Sequence, residues 1–112
     1  MTDDEVDLVF HALADATRRD ILRRAMDGSP SVTDLARHYP MSFAAVQKHV
    51  AVLERAGFVT KQRQGRAQLV CTDVTTIRRA NDLLAQLESL WRDRLDRFAD
   101  VLAETTTEGA TP

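Results

Sequence analysis

Residues 31–59, SVTDLARHYPMSFAAVQKHVAVLERAGFV, constrain this chain more than any other stretch. Ser31 with Asp34 resembles a capping box, with Asp where Glu or Gln is usual. Val32, Leu35, Ala36 and Tyr39 form the inner face of a helix, and Pro40 stops it. Ser42 is then an N-cap candidate for a second helix that runs to about Ala56. Gly57 follows, where a left-handed C-terminal cap is wanted. Two short helices around a tight break are the layout of a helix-turn-helix, whose second helix enters a DNA major groove.

Angular position sorts the second helix. With Val46 at zero and about 100° per residue, Ser42, Val50 and Leu53 fall within about 40° and make the core side. Ala44, Gln47, Lys48, Ala51 and Arg55 fall at about 100–200°, on the outward side. Two alanines on an outward face are unusual for a solvated helix, and they suit a helix that must lie close to base pairs. Gln47 can pair bidentately with adenine, and Lys48 can reach guanine or a phosphate. The Ser42 hydroxyl and the free N–H groups at the helix start suit a phosphate. Phe43 lies on one flank, placed to touch a thymine methyl or to pack. His49, at about 300°, is expected to be a half-buried packing residue.

The flanking segments complete a domain. Val6, Val9, Phe10 and Leu13 predict a first helix over about 5–14. Asp15 caps a second over about 16–26, ended by Asp27-Gly28-Ser29-Pro30. In residues 58–72, β-branched residues gather around a Gln64-Gly65 turn, which predicts a two-stranded hairpin, or wing, with Arg63 and Arg66 at its tip. From about Thr75 to Ala103 a helical pattern runs without Gly or Pro. Ile77, Ala80, Leu84, Leu87, Trp91, Phe98 and Val101 share heptad-like spacing, with Arg94 in the one polar slot. Such a helix, roughly 40 Å long, is too long and too apolar for so small a domain to cover. A homodimer is expected through the last and first helices, using Val9, Phe10, Leu84, Leu87, Trp91 and Phe98. Thus the expected fold is mainly α: five helices and a two-stranded wing, in one domain over 1–104, with a disordered tail over 105–112.

Charge is segregated behind a net value of −2. Residues 1–16 carry five acids and no base, whereas residues 17–66 carry ten Lys/Arg against four acids. A basic middle coinciding with the helix-turn-helix is the footprint of a phosphate-binding face. No run approaches the roughly 18 apolar residues of a membrane span. The acidic start, MTDDEVD, is unlike a secretory signal, and the lone Cys71 precludes an intrachain disulfide. A cytoplasmic setting is expected. Cys71 itself reads as a small buried hydrophobe on a wing strand.

These residues resemble the ArsR-type winged-helix transcriptional regulators over about 7–103. LADATRRDIL (13–22) is similar to the family's LADPTRRxIL, with Ala16 where Pro is usual. SVTDLA (31–36) matches its third helix; Ser42, Val46, His49, Leu53 and AGFV (56–59) match its recognition segment. Arg63-Gln64-Gly65-Arg66 matches its wing turn. The resemblance implies a homodimeric repressor on a near-palindromic operator, often its own promoter. From their positions, Ser42, Phe43, Ala44, Gln47, Lys48 and Arg55 on the helix and Arg63 and Arg66 on the wing are expected to contact DNA.

Metal-sensing members carry a cysteine motif in the third helix, or paired Asp/His and His/Glu on the last. Here residues 32–36 hold no thiol and the last helix no histidine. His11, His38, His49 and Cys71 are scattered one to an element. The chain therefore looks like the non-metal branch, with no cofactor and with a small apolar ligand or a partner protein as possible effector. No phosphate loop or nucleophile–histidine spacing suggests an enzyme. The alternative function is a winged-helix module that binds protein instead of DNA.

Overall fold

A computed structural model describes the backbone of residues 1–110 and the side chains of residues 1–105. The order is α1 (Asp3–Leu13), α2 (Ala16–Met26), α3 (Val32–Ala36), α4 (Phe43–Arg55), β1 (Val59–Gln64), β2 (Ala67–Thr72) and α5 (Thr75–Ala110). These five helices and the two-stranded antiparallel hairpin are the expected winged helix-turn-helix. Two compact units divide the chain, Met1–Ala80 and the remainder from Asn81.

Each helix of the first unit starts where a short polar side chain can take a free amide. Thr2 accepts from the Glu5 N–H, Asp15 from Arg18, Ser31 from Asp34 and Ser42 from Ala45, at 3.0–3.2 Å. The caps expected at Asp15, Ser31 and Ser42 thus hold their helices. The Arg18 amide, with the nearby Arg18 guanidinium, keeps the Asp15 carboxyl below its usual range.

α3 is shorter than its apolar pattern. Past Ala36 the chain tightens into i→i−3 turns, with the amides of Arg37, His38 and Tyr39 bonding to Asp34, Leu35 and Ala36. Tyr39 still faces inward and donates its hydroxyl to Asp20 Oδ2 at 2.7 Å. Burial, then this bond, pushes the Tyr39 phenol up to about 12. The donations from Tyr39 and Arg24 hold Asp20 below the ordinary carboxylate range, and the Tyr39–Asp20 bond ties the turn after α3 to α2.

The core draws one stripe from each element: Val9 and Ala12; Ile21, Leu22 and Ala25; Val32 and Leu35; Val46, Val50 and Leu53; then Phe58, Val59, Val70 and Ala80. Val9 sits in it, 2 % exposed, which corrects its expected place in a dimer interface. One helical step of about 100° separates it from Phe10, which stays exposed, so the two share no surface.

Gly57 turns the chain out of α4. Its φ of +88° lies in the left-handed region, and its N–H bonds to the Glu54 carbonyl. The Thr76 hydroxyl donates to the Gly57 carbonyl at 2.7 Å, and a Cβ on Gly57 would lie 2.9 Å from that hydroxyl oxygen. Gly57→Ala therefore combines backbone strain with a clash that must be relieved. It should destabilise the protein by about 2 kcal/mol, seen as a lower urea midpoint with an unchanged slope.

The hairpin pairs Val59 with Thr72 through Gln64 with Ala67, leaving a two-residue loop, Gly65-Arg66, with Gly65 at φ +62°. Its second strand is stitched to the start of α3: Ser31 bridges Leu69, and the Val70 N–H bonds to the Pro30 carbonyl at 2.8 Å.

The second unit is the remainder of α5, bearing an Arg92–Glu88 pair at 3.0 Å and the Arg94 guanidinium 5.7 Å from the Trp91 ring. The helix outruns its apolar pattern. Residues 105–110, expected as part of a disordered tail, continue it, and the Thr105 hydroxyl bonds back to the Val101 carbonyl. No proline interrupts this segment, although its three threonines and Gly109 are poor helix formers. Residues 111–112 lie outside the described residues.

Candidate nucleic-acid interface

Most of α4 presents the two faces its angles predict, but Ser42, placed on the core side, is exposed and Ala51, placed outward, is half-buried. Val46, Val50 and Leu53 are completely buried, while Phe43, Ala44, Gln47 and Lys48 are exposed. Ser42 closes the N-terminus with its oxygen on the Ala45 amide, leaving its own O–H free to donate. His49 is half-buried. Its Nδ1 lies 3.4 Å from Arg18 Nη1 and 3.9 Å from Asp15 Oδ2, so it faces α2 and not the outward surface.

Between the start of α4, the start of α3 and the hairpin lies a groove of about 220 Å³. Phe43 and Gln47 line it from the helix, and Arg63 and Arg66 from the wing. Four further residues line it that were not expected there, Val32 and Ala67 and the polar pair Thr33 and Gln68. Gln68 pairs directly with Arg63 across the hairpin and shares a strand face with buried Val70. That period-two relation was the available signal; the position of Thr33 depends on how α3 packs and left none.

Ala44 and Lys48 share the exposed face of α4 without lining the groove. Arg55 is set apart, at the last turn of α4, where it lines a different cavity with Glu5 and Arg79.

The basic block divides sharply once partners are known. Arg18 donates Nε–H and Nη2–H to the carbonyls of Ala12 and His11, and Arg19 donates to Leu13. Together with the Ala14 amide, which also bonds to the His11 carbonyl, they satisfy carbonyls at the open end of α1. Arg23 and Arg24 pair with Asp20, Arg37 with Asp34 and Lys61 with Glu54. Arg63 reaches the Gly65 carbonyl at 3.4 Å. Lys48, Arg55 and Arg66 remain without a hydrogen-bond or ion-pair partner among the described residues. The charge that looked like one phosphate-binding block is, over α2, structural.

Cys71 lies half-buried on β2. Among the described residues, no group of three or more His, Cys, Asp or Glu side chains is placed to hold a metal ion, and no helix is long and apolar enough to cross a membrane.

Residues 15–61, from the Asp15 cap through the first residues of the wing, match the family model described as bacterial regulatory protein, arsR family. The HTH-type transcriptional regulator Rv2034 of Mycobacterium tuberculosis is 33 % identical over 96 residues, covering 86 % of this chain and 87 % of that protein. The chain belongs to the ArsR family. It is a DNA-binding transcriptional regulator and not an enzyme. An ArsR-like transcriptional regulator from Rhodococcus sp. RHA1 has the same fold, with a TM-score of 0.79 and 28 % identity over 88 % of this chain and 92 % of its own. The transcriptional repressor SdpR of Bacillus subtilis is 33 % identical over 58 residues, which span 52 % of this ArsR protein and 64 % of that one.

Proposed function

We propose that this protein is a dimeric repressor that binds a near-palindromic operator at its own promoter or at neighbouring genes, in the cytoplasm. The observation that carries the reading is the shared groove of recognition helix and wing, where Gln47 and Phe43 meet Arg63 and Arg66. Ser42 and the free amides at the start of α4 take a phosphate, Ala44 permits close approach, and Gln47 and Lys48 read base edges. Arg63 and Arg66 hold the backbone or the minor groove beside the wing. Arg55, beyond the groove, is at most a phosphate contact.

Repression is supported by the likeness to SdpR, itself named a repressor. The dimer is supported by α5, where Leu84, Leu87, Trp91 and Phe98 are 50–62 % exposed. Phe10 of α1, also exposed, is the remaining expected contributor. Two copies would set recognition helices about 34 Å apart, one turn of DNA. With no thiol in α3 and no histidine in α5, the trigger belongs to a non-metal class, a small ligand or a protein. Nothing favours the protein-binding alternative, since the exposed face of α4 is small, polar and basic.

Selection of bound duplexes from a random pool tests the whole reading by returning half-site sequence and spacing together; failure to enrich any sequence would reject it. Gln47→Ala should cost about 1–3 kcal/mol on the selected site and relax choice at one base pair, if its contact is bidentate. Arg66→Ala should behave otherwise. It should weaken all duplexes alike and reduce the dependence of log K on log salt by about 0.9 for each phosphate that Arg66 neutralises.

A further inference from the structure

Arg55 is a sequence-marked cation that the DNA-reading groove does not absorb. It lines a second, partly open cavity of about 220 Å³, between α1, the end of α4 and the start of α5. Met1, Leu8, Val9 and Ala56 supply apolar wall, Thr76 a largely buried hydroxyl, and Glu5 and Arg79 further side-chain charge. Arg79 gives Nη2 to Glu5 Oε2 at 2.9 Å. The Arg55 guanidinium has no protein partner among the described residues.

We infer that this cavity binds a small organic monocarboxylate with a compact apolar body, and that Arg55 is its anion receptor. Size, charge and lining each narrow the class. The volume, about seven waters at ~30 Å³ each, falls below the range of drug-sized sites, so the ligand is a small one. Arg79 is already paired with Glu5, so Arg55 is the one lining guanidinium left free among the described residues, which a single carboxylate matches. The second charge of a phosphate dianion finds no further free guanidinium and faces the Glu5 carboxylate. An unpaired guanidinium offers the planar pair of donors that a carboxylate matches, while the apolar wall takes the rest of the molecule.

The location gives the site its consequence. Arg55 is the last residue of the recognition helix, and Gly57 beside it is held by Thr76 at the start of α5. A ligand seated there touches α4 and α5 together and shifts DNA affinity to the extent that it binds the free and DNA-bound forms unequally. That consequence rests on the DNA-reading role proposed above; occupancy of the cavity does not.

The test uses the whole protein and phenylacetate, with neutral phenylacetamide and dianionic phenyl phosphate as controls. Phenylacetate should move the backbone NMR signals of Ala56 and Gly57 saturably. Phenylacetamide should not, and phenyl phosphate should bind more weakly. Arg55→Ala, a change at an exposed side chain, should weaken phenylacetate by about tenfold or more with the fold retained. No saturable shift at about 10 mM, equal binding of the amide, tighter binding of the phosphate ester, or an unaffected Arg55→Ala variant would each overturn the site; millimolar dissociation constants are the weak end of specific binding. Saturating phenylacetate should also change affinity for the selected duplex. Unchanged affinity would remove the regulatory role and leave the site. A failed duplex selection would strike the proposed function alone, because the NMR titration needs no DNA.

Discussion

Leu87→Glu is expected to convert the protein from dimer to monomer and to lower its affinity for the selected operator by about 10²–10⁴-fold, the advantage that two linked binding units hold over one. Leu87 is 56 % exposed and lies outside the compact unit that carries the DNA-reading groove. The substitution replaces one good helix former with another and leaves the core of that unit untouched. Its expected effect on protomer stability is therefore small. Placed in an apolar helix–helix seam, however, an unpaired carboxylate cannot shed its water without large cost. Sedimentation velocity at tens of micromolar reads the assembly, and a fluorescence titration with the duplex reads the affinity. A variant that stays dimeric and binds as before would show that this face of α5 is not the seam.

Phe58→Ala should cost about 3–5 kcal/mol, the ordinary penalty for emptying an aromatic site in a close-packed core. Phe58 is 1 % exposed and is the largest fully buried side chain. It follows Gly57 at the junction of recognition helix and wing, and its amide bonds back to the Leu53 carbonyl at 3.0 Å. Against the roughly 5–15 kcal/mol typical of a domain, that loss is a large share of the total stability. Chemical denaturation should show a midpoint lowered accordingly, with Phe58→Leu intermediate because it leaves a smaller void. A loss below about 1 kcal/mol would mean that the junction repacks freely around the gap.

Much of the recognition segment is legible in the sequence because the interactions that build it are local. Asp15, Ser31 and Ser42 each hold an amide three residues ahead. Val46, Val50 and Leu53 recur at helical spacing and are buried together. Gly65 takes the positive φ that a two-residue hairpin loop requires. Each signal spans only a few residues, so neighbours in sequence settle it.

The assignment of charged and shared surfaces was not legible, for the complementary reason. Composition counts Arg18 and Arg66 alike. Only the approach of α2 to α1 and α4 shows that Arg18 is committed to the Ala12 and His11 carbonyls and lies beside His49, 31 residues away. Val9 and Phe10 both look free to form an interface until the packing of α1 buries the first and exposes the second. Thr33 and Gln68 enter the reading groove, and Arg55 leaves it for a cavity shared with Glu5 and Arg79, because elements far apart in the chain pack together there. The sequence alone therefore determined the order of the elements, the caps at Asp15, Ser31 and Ser42, and the resemblance to the family. Tertiary structure decided which cations are free, because a side chain's partner depends on what packing brings near it, and spacing along the chain does not encode that.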